Sequence, residues 1–101
     1  MSRELDRLLH LDVSSRGVLC DEDNAYAHRR LEDLVLLIRS LDHVQRANIV
    51  IDLTDDARTR VEGLIEIDGH LLVAHGEATA VRVAVDIVMV RLLRQLADAG
   101  S

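Results

Sequence analysis

Residues 59–74 read TRVEGLIEIDGHLLVA, and this stretch decides the fold. Val61, Gly63, Ile65 and Ile67 alternate with Arg60, Glu62, Glu66 and Asp68, a period of two that sends apolar groups to one face of a strand and charges to the other. Asp68-Gly69 follows. Both of its positions tolerate positive φ, so the chain is expected to reverse in a two-residue hairpin and return through Leu71-Leu72-Val73-Ala74. Upstream, Ala47, Ile49, Ile51 and Leu53 repeat the alternation over 47–53, and Thr54-Asp55-Asp56-Ala57 supplies turn chemistry between the two runs. Three antiparallel strands in a meander are the reading of this central half.

On either side the period changes. Ala27, Leu31, Leu34, Ile38 and Leu41 recur at spacings of four and three, one continuous face of a helix. Cys20-Asp21-Glu22-Asp23-Asn24 gathers side-chain acceptors and negative charge at its start, which suits capping and the positive end of the helix dipole. The helix is expected to end near Asp42. Before it, His10 to Ser14 (HLDVS) alternates enough to open the sheet, preceded by a short helical lead-in over Met1 to Leu9. After the hairpin, Gly76-Glu77-Ala78-Thr79 reads as a strand break. Ala80 to Ala97 then runs without glycine or proline as a second long helix, with Val81, Val85, Val88, Met89, Leu92 and Leu96 inward. The expected fold class is α+β, a two-layer sandwich of order β-α-β-β-β-α with two helices on one face of a four-stranded sheet.

Composition narrows the function. The chain has 101 residues, which is one domain's worth, with its core expected over about 10–97. It has no proline and no low-complexity run to mark a linker. Tyr26 is its one aromatic residue, so a base-stacking platform on the sheet is excluded. Twelve basic residues, all arginine, stand against 18 acidic ones for a net charge of −6. That balance speaks against a non-specific DNA coat and leaves room only for a local arginine patch. The single Cys20 has no internal disulfide partner, no secretory signal is legible, and no apolar run reaches the length of a membrane span. A cytoplasmic location without membrane contact is the expectation.

Catalytic and metal chemistry find little support. The five histidines, His10, His28, His43, His70 and His75, contain no pair four apart on a helix, so no zinc site is expected. Asp55-Asp56 and Asp21-Glu22-Asp23 are explained as turn and helix-start residues rather than paired acid and base. Phosphate-loop and nucleophile motifs are absent, so neither an enzyme nor a cofactor is expected.

The segment His70-Leu71-Leu72-Val73-Ala74-His75-Gly76-Glu77, then Ala84-Val85-Asp86, then Arg91-Leu92-Leu93-Arg94-Gln95-Leu96, resembles the ribosome hibernation-promoting factors and ribosome-associated translation inhibitors. The likeness spans about residues 10–97. It implies a fold like that of double-stranded-RNA-binding domains. It also implies docking on the small ribosomal subunit, against 16S rRNA phosphate, to inhibit translation in hibernation or stress. Arg91 stands at the family's helix lysine, and Arg94 and Gln95 at its Arg-Gln pair. Arg29, Arg30 and Arg39 join them as RNA-binding candidates by placement on the first helix. Guanidinium groups suit the task, because they bind phosphate bidentately without reading sequence. The chain departs from the family in lacking lysine and in carrying Val81 or Arg82 where an aromatic usually stands.

A second reading comes from the residues themselves. Val83, Ile87 and Val90 form an apolar stripe on the outer side of the last helix, and Leu36 lies on the outer side of the first. Contiguous exposed apolar surface marks an interface. The alternative function is therefore a homodimeric protein-interaction module of the same fold that has lost RNA binding, with Leu36, Val83, Ile87 and Val90 at its contact.

Overall fold

The computed structural model describes residues 10–39 and 44–99. Its elements are β1 (His10–Arg16), α1 (Asp21–Arg39), β2 (Val44–Asp52), β3 (Thr59–Ile67), β4 (His70–Ala78) and α2 (Val81–Ala99). The lead-in read over Met1 to Leu9, and Leu41 and Asp42 at the expected end of α1, lie outside the described residues.

The four strands lie in the order β1-β2-β3-β4. β1 runs parallel to β2, and the other two pairings are antiparallel. The parallel pair follows from α1, the crossover that returns the chain to the same end of the sheet. Asp68 (φ 49) and Gly69 (φ 81) both occupy the left-handed region, as a tight β3–β4 reversal requires. The α1 ladder begins with Asn24 N–H donating to Cys20 O at 3.0 Å, and Asp21, Glu22 and Asp23 occupy the first turn. Their charge stabilises the exposed N–H groups of that turn through the dipole.

Both helices cover one face. Ile49, Ile51, Val61 and Ile65 from the sheet meet Leu31 and Val35 of α1 and Val85, Val88, Met89 and Leu92 of α2, all at 2% exposure or less. The fully buried core is aliphatic apart from Met89, and the Tyr26 ring packs only at its margin. The opposite sheet face carries a cross-strand row of alternating charge, Arg16, Asp52, Arg60 and Glu77.

Two expectations are corrected here. Gly76 does not break β4, which continues to Ala78, so α2 starts at Val81. A Cβ at Gly76 would stand 2.7 Å from Ala84 O and 3.0 Å from Val88 Cγ2. The glycine is there to let the helix lie against the strand, a use of glycine that alternation alone does not reveal. Ile87 leaves the exposed stripe for the same reason: its Cβ lies 3.2 Å from the place where a Gly76 Cβ would be, and it is half-buried against the core.

Candidate nucleic-acid interface

The two helices run side by side in the same direction, as their contacts show. Asp23 Oδ1 accepts from Arg82 Nε at 3.1 Å near both starts. One helical turn further on, Asp86 Oδ1 accepts from Tyr26 Oη at 2.6 Å and from Arg30 Nε at 3.1 Å. The Arg82 guanidinium lies 5.0 Å from the centre of the Tyr26 ring, a cation–π distance. Five side chains thus lock the N-terminal halves of the helices together, and two of the arginines enter already balanced by carboxylates. Tyr26 is not among the expected site residues. Arg82, which the sequence allows in an RNA-facing row with Arg91 and Arg94, is paired to Asp23.

Tyr26 itself is a probe of this lock. Its phenol is held above the ordinary value of 10.0, first by the hydrogen bond it donates to Asp86, then by burial and by that carboxylate's charge. The folded state therefore keeps the proton more tightly than the unfolded state. Its contribution to stability is complete below the unfolded pKa and is lost as pH rises through the folded one. Tyr26 is the chain's one tyrosine, so tyrosinate absorbance during alkaline titration reports it alone. The expected midpoint lies above that of a tyrosine peptide, and Asp86→Asn brings it down.

The family-matched residues of α2 separate into two groups. Arg91 Nη1 donates to His75 O at 2.5 Å and Gln95 Nε2 donates to Val73 O at 2.7 Å. Both acceptors are carbonyls on the outer edge of β4, so these side chains close an edge that would otherwise present unpaired backbone groups. Arg94 is exposed and has no hydrogen bond or ion pair among the described residues. A stability comparison separates the roles: Arg91→Ala and Gln95→Ala are each expected to lower unfolding free energy by about 1 kcal/mol, and Arg94→Ala by less than about 0.5 kcal/mol. Chemical denaturation checks this.

On α1, Arg29 is exposed and, among the described residues, has no partner, whereas Arg30 is tied to Asp86. Arg39 closes the helix, and its side chain lies outside the described set. The structure thus turns Arg29 and Arg94 outward, commits Arg30 to the partner helix, and holds Arg91 at the sheet edge with its remaining donors exposed. Among the apolar candidates, Leu36 (56% exposed), Val83 (51%) and Val90 (52%) are on the surface. Leu37 and Leu93, which inward periodicity did not single out, are exposed as well.

The open sheet face is a poorer place for a polyanion. Its depression of about 480 Å³ is lined by Arg16, Arg60 and Arg91 but also by Asp52, Glu62 and Glu77. Arg58 and Arg60 are paired to Glu77 at 2.7 Å and 3.8 Å, and His75 Nε2 lies 2.9 Å from Glu62. Asp52 is held below the ordinary carboxylate range by the hydroxyl and N–H of Thr54, so it stays charged there. With no ring for stacking, and with Arg58, Arg60 and His75 each beside an acid, this face offers phosphate little. No group of His, Cys, Asp and Glu among the described residues could hold a metal ion, and no described helix is long and apolar enough to cross a membrane.

The chain is an α+β protein, a four-stranded mixed sheet of order β-α-β-β-β-α covered on one face by two helices that carry the outward arginines. Two solved structures share this fold over nearly their full length. A ribosomal subunit interface protein from Coxiella burnetii superposes with a TM-score of 0.76, covering 90% of this chain and 97% of that one at 16% identity. The Thermus thermophilus Protein Y N-terminal domain gives a TM-score of 0.69, covering 89% of this chain and 96% of the other at 20% identity. The fold implied by the sequence resemblance is therefore the fold found. No protein-family model and no curated protein matches the chain by sequence.

Proposed function

We propose that this chain is a ribosome-associated factor that docks on the small subunit through its helical layer, touching 16S rRNA phosphate and inhibiting translation by occupancy. The reading rests on one observation above the others. The chain shares its whole fold with a protein described as a ribosomal subunit interface protein, and its own α2 turns Arg94, and the free donors of Arg91, to solvent beside the sheet edge. Arg29 on α1 extends the contact. The helix-lock arginines, Arg30 and Arg82, contribute little net charge, because each is balanced by a carboxylate. No step of bond-making is involved, and the factor acts in the cytoplasm, where ribosomes are, under conditions that favour hibernation.

Co-sedimentation with 30S particles over a salt series tests this. Binding is expected at low salt and is expected to fall steeply as salt rises, because phosphate contacts release counterions. The Arg91→Glu, Arg94→Glu double variant abolishes it at moderate salt. Absence of co-sedimentation at low salt overturns the reading.

The exposed Val83 and Val90 favour a second reading, self-association of the chain through the helical layer. It is compatible with ribosome binding or with its loss.

A further inference from the structure

We propose that two copies of this chain associate through the outer face of α2, antiparallel to each other about a twofold axis beside Val90. The proposal rests on the self-association reading above and assigns it a surface, an axis and a set of contacts.

The argument is the order of residues about Val90, which is half-exposed at 52%. Three residues away in each direction stand Leu93 and Ile87, the latter half-buried at the β4 margin of the band. Four away stand Asp86 and Arg94, and seven away Val83 and Ala97. On a helix these offsets fall on one face, so they form a single band. Val83 is 51% exposed and Leu93 38%. A twofold axis through the middle of the band brings each residue opposite its mirror position on the second copy. Apolar groups then meet apolar groups, with Val90 against Val90, and Asp86 meets Arg94 twice over. A parallel arrangement would instead place Asp86 against Asp86 and Arg94 against Arg94, so the charge pattern selects the antiparallel one.

The intramolecular contacts leave these groups ready for the pairing. Asp86 takes both its hydrogen bonds, from Tyr26 and Arg30, on Oδ1, and its side chain remains 46% exposed. Its Oδ2 has no partner among the described residues, nor does Arg94. The helix lock therefore orients the carboxylate and keeps its second oxygen outward. Leu37 lies one further pair of turns along α1 from Arg30, so it falls on the side of α1 nearest the band and is 59% exposed. It widens the apolar floor beside Val90 and Leu93.

Cysteine placement tests the axis. In a Cys20→Ser background, Val90→Cys is expected to form an intermolecular disulfide readily under mild oxidation, because residues on the axis face their own copies at bonding distance. Leu36→Cys, on the other helix, is expected to cross-link slowly. Sedimentation equilibrium of the wild type is expected to give a dimer mass, and of Val90→Asp a monomer mass at the same concentration. A wild type that stays monomeric at every concentration removes self-association altogether, and this proposal with it. A wild-type dimer that persists in Val90→Asp, with residue 90 cross-linking no faster than residue 36, keeps self-association and overturns this axis. The dimer takes up Arg94, so the form that docks on the ribosome is the monomer, and co-sedimentation of Val90→Asp, which keeps Arg94, tests that docking apart from self-association.

Discussion

Gly76→Ala is expected to destabilise the protein by about 3 kcal/mol, against the direction that strand propensity alone predicts. Glycine inside a strand normally loses stability relative to alanine, since it surrenders more backbone freedom on folding. Here the added methyl group would stand 2.7 Å from Ala84 O, a carbonyl of the first turns of α2. A flexible side chain could swing aside, but this oxygen belongs to the helix backbone and moves only if α2 moves. Ile87 and Val88, at 3.2 Å and 3.0 Å from the same point, close the remaining directions. The helix would have to lift from β4, opening the packing of Val85, Val88 and Leu92. Urea denaturation followed by circular dichroism measures the loss. A midpoint equal to or above that of wild type would show that α2 does not sit against β4 at this distance. Because α2 also carries Arg91 and Gln95, the same variant is expected to lose their hydrogen bonds to the β4 edge.

Gly63→Val is the second large effect, also expected near 3 kcal/mol. Gly63 sits on the inward face of β3, paired between Ile49 of β2 and Ala74 of β4. A Cβ there would lie 2.4 Å from Val88 Cγ1 and 3.0 Å from Leu92 Cδ1. Leu92 has a rotamer to yield, whereas Val88 is β-branched and stiff in a helix. The obstruction is therefore a side chain, and it can be removed. Val88→Ala alone is expected to cost about 2 kcal/mol by leaving a cavity, but in combination with Gly63→Ala the two losses should fall short of their sum by about 1 kcal/mol or more. Strict additivity in that cycle would mean that Gly63 and Val88 are not in contact.

These two glycines also mark the boundary of what pattern reading reaches. Gly63 fell in phase with Val61, Ile65 and Ile67, so its inward position was legible, while its reason, the approach of Val88, was not. Gly76 had the appearance of punctuation after a short strand. Its neighbours Ala74 and Ala78 are buried and in phase with it, but small residues weigh little in a hydrophobic alternation. The alternation therefore ends at Ala74, short of the end of β4 at Ala78. Of the three residues in the outer stripe of α2, Val83 and Val90 are exposed and Ile87 is not, for a related reason. A helical period assigns Ile87 a direction, but only the contact with β4 decides that this direction is covered.

The candidate interface divides in the same way. Arg91, Arg94 and Gln95 are singled out by resemblance; Arg91 and Arg94 are exposed, and Gln95 is half-buried toward β4. Nothing in their spacing distinguishes Arg94, which stays free among the described residues, from Arg91 and Gln95, which reach carbonyls of β4. Hydrogen bonds between a helix side chain and a strand some sixteen to twenty-two positions away in sequence have no local signature. The interhelical lock is another case: Tyr26 and Asp86 are sixty residues apart, and they meet only because the parallel crossover lays α1 beside α2.

By itself the sequence determined the element order, the meander of β2, β3 and β4, the Asp68-Gly69 reversal, the aliphatic core and the absence of an aromatic platform. Each of these depends on residues within a few positions of one another, where periodicity and turn chemistry act directly. Only the tertiary structure decided which arginines are spent on carboxylates and edge carbonyls, which glycines admit a helix, and which apolar residues of α2 remain uncovered. Those outcomes depend on the distance between two layers, and that distance is set by side chains far apart in the chain.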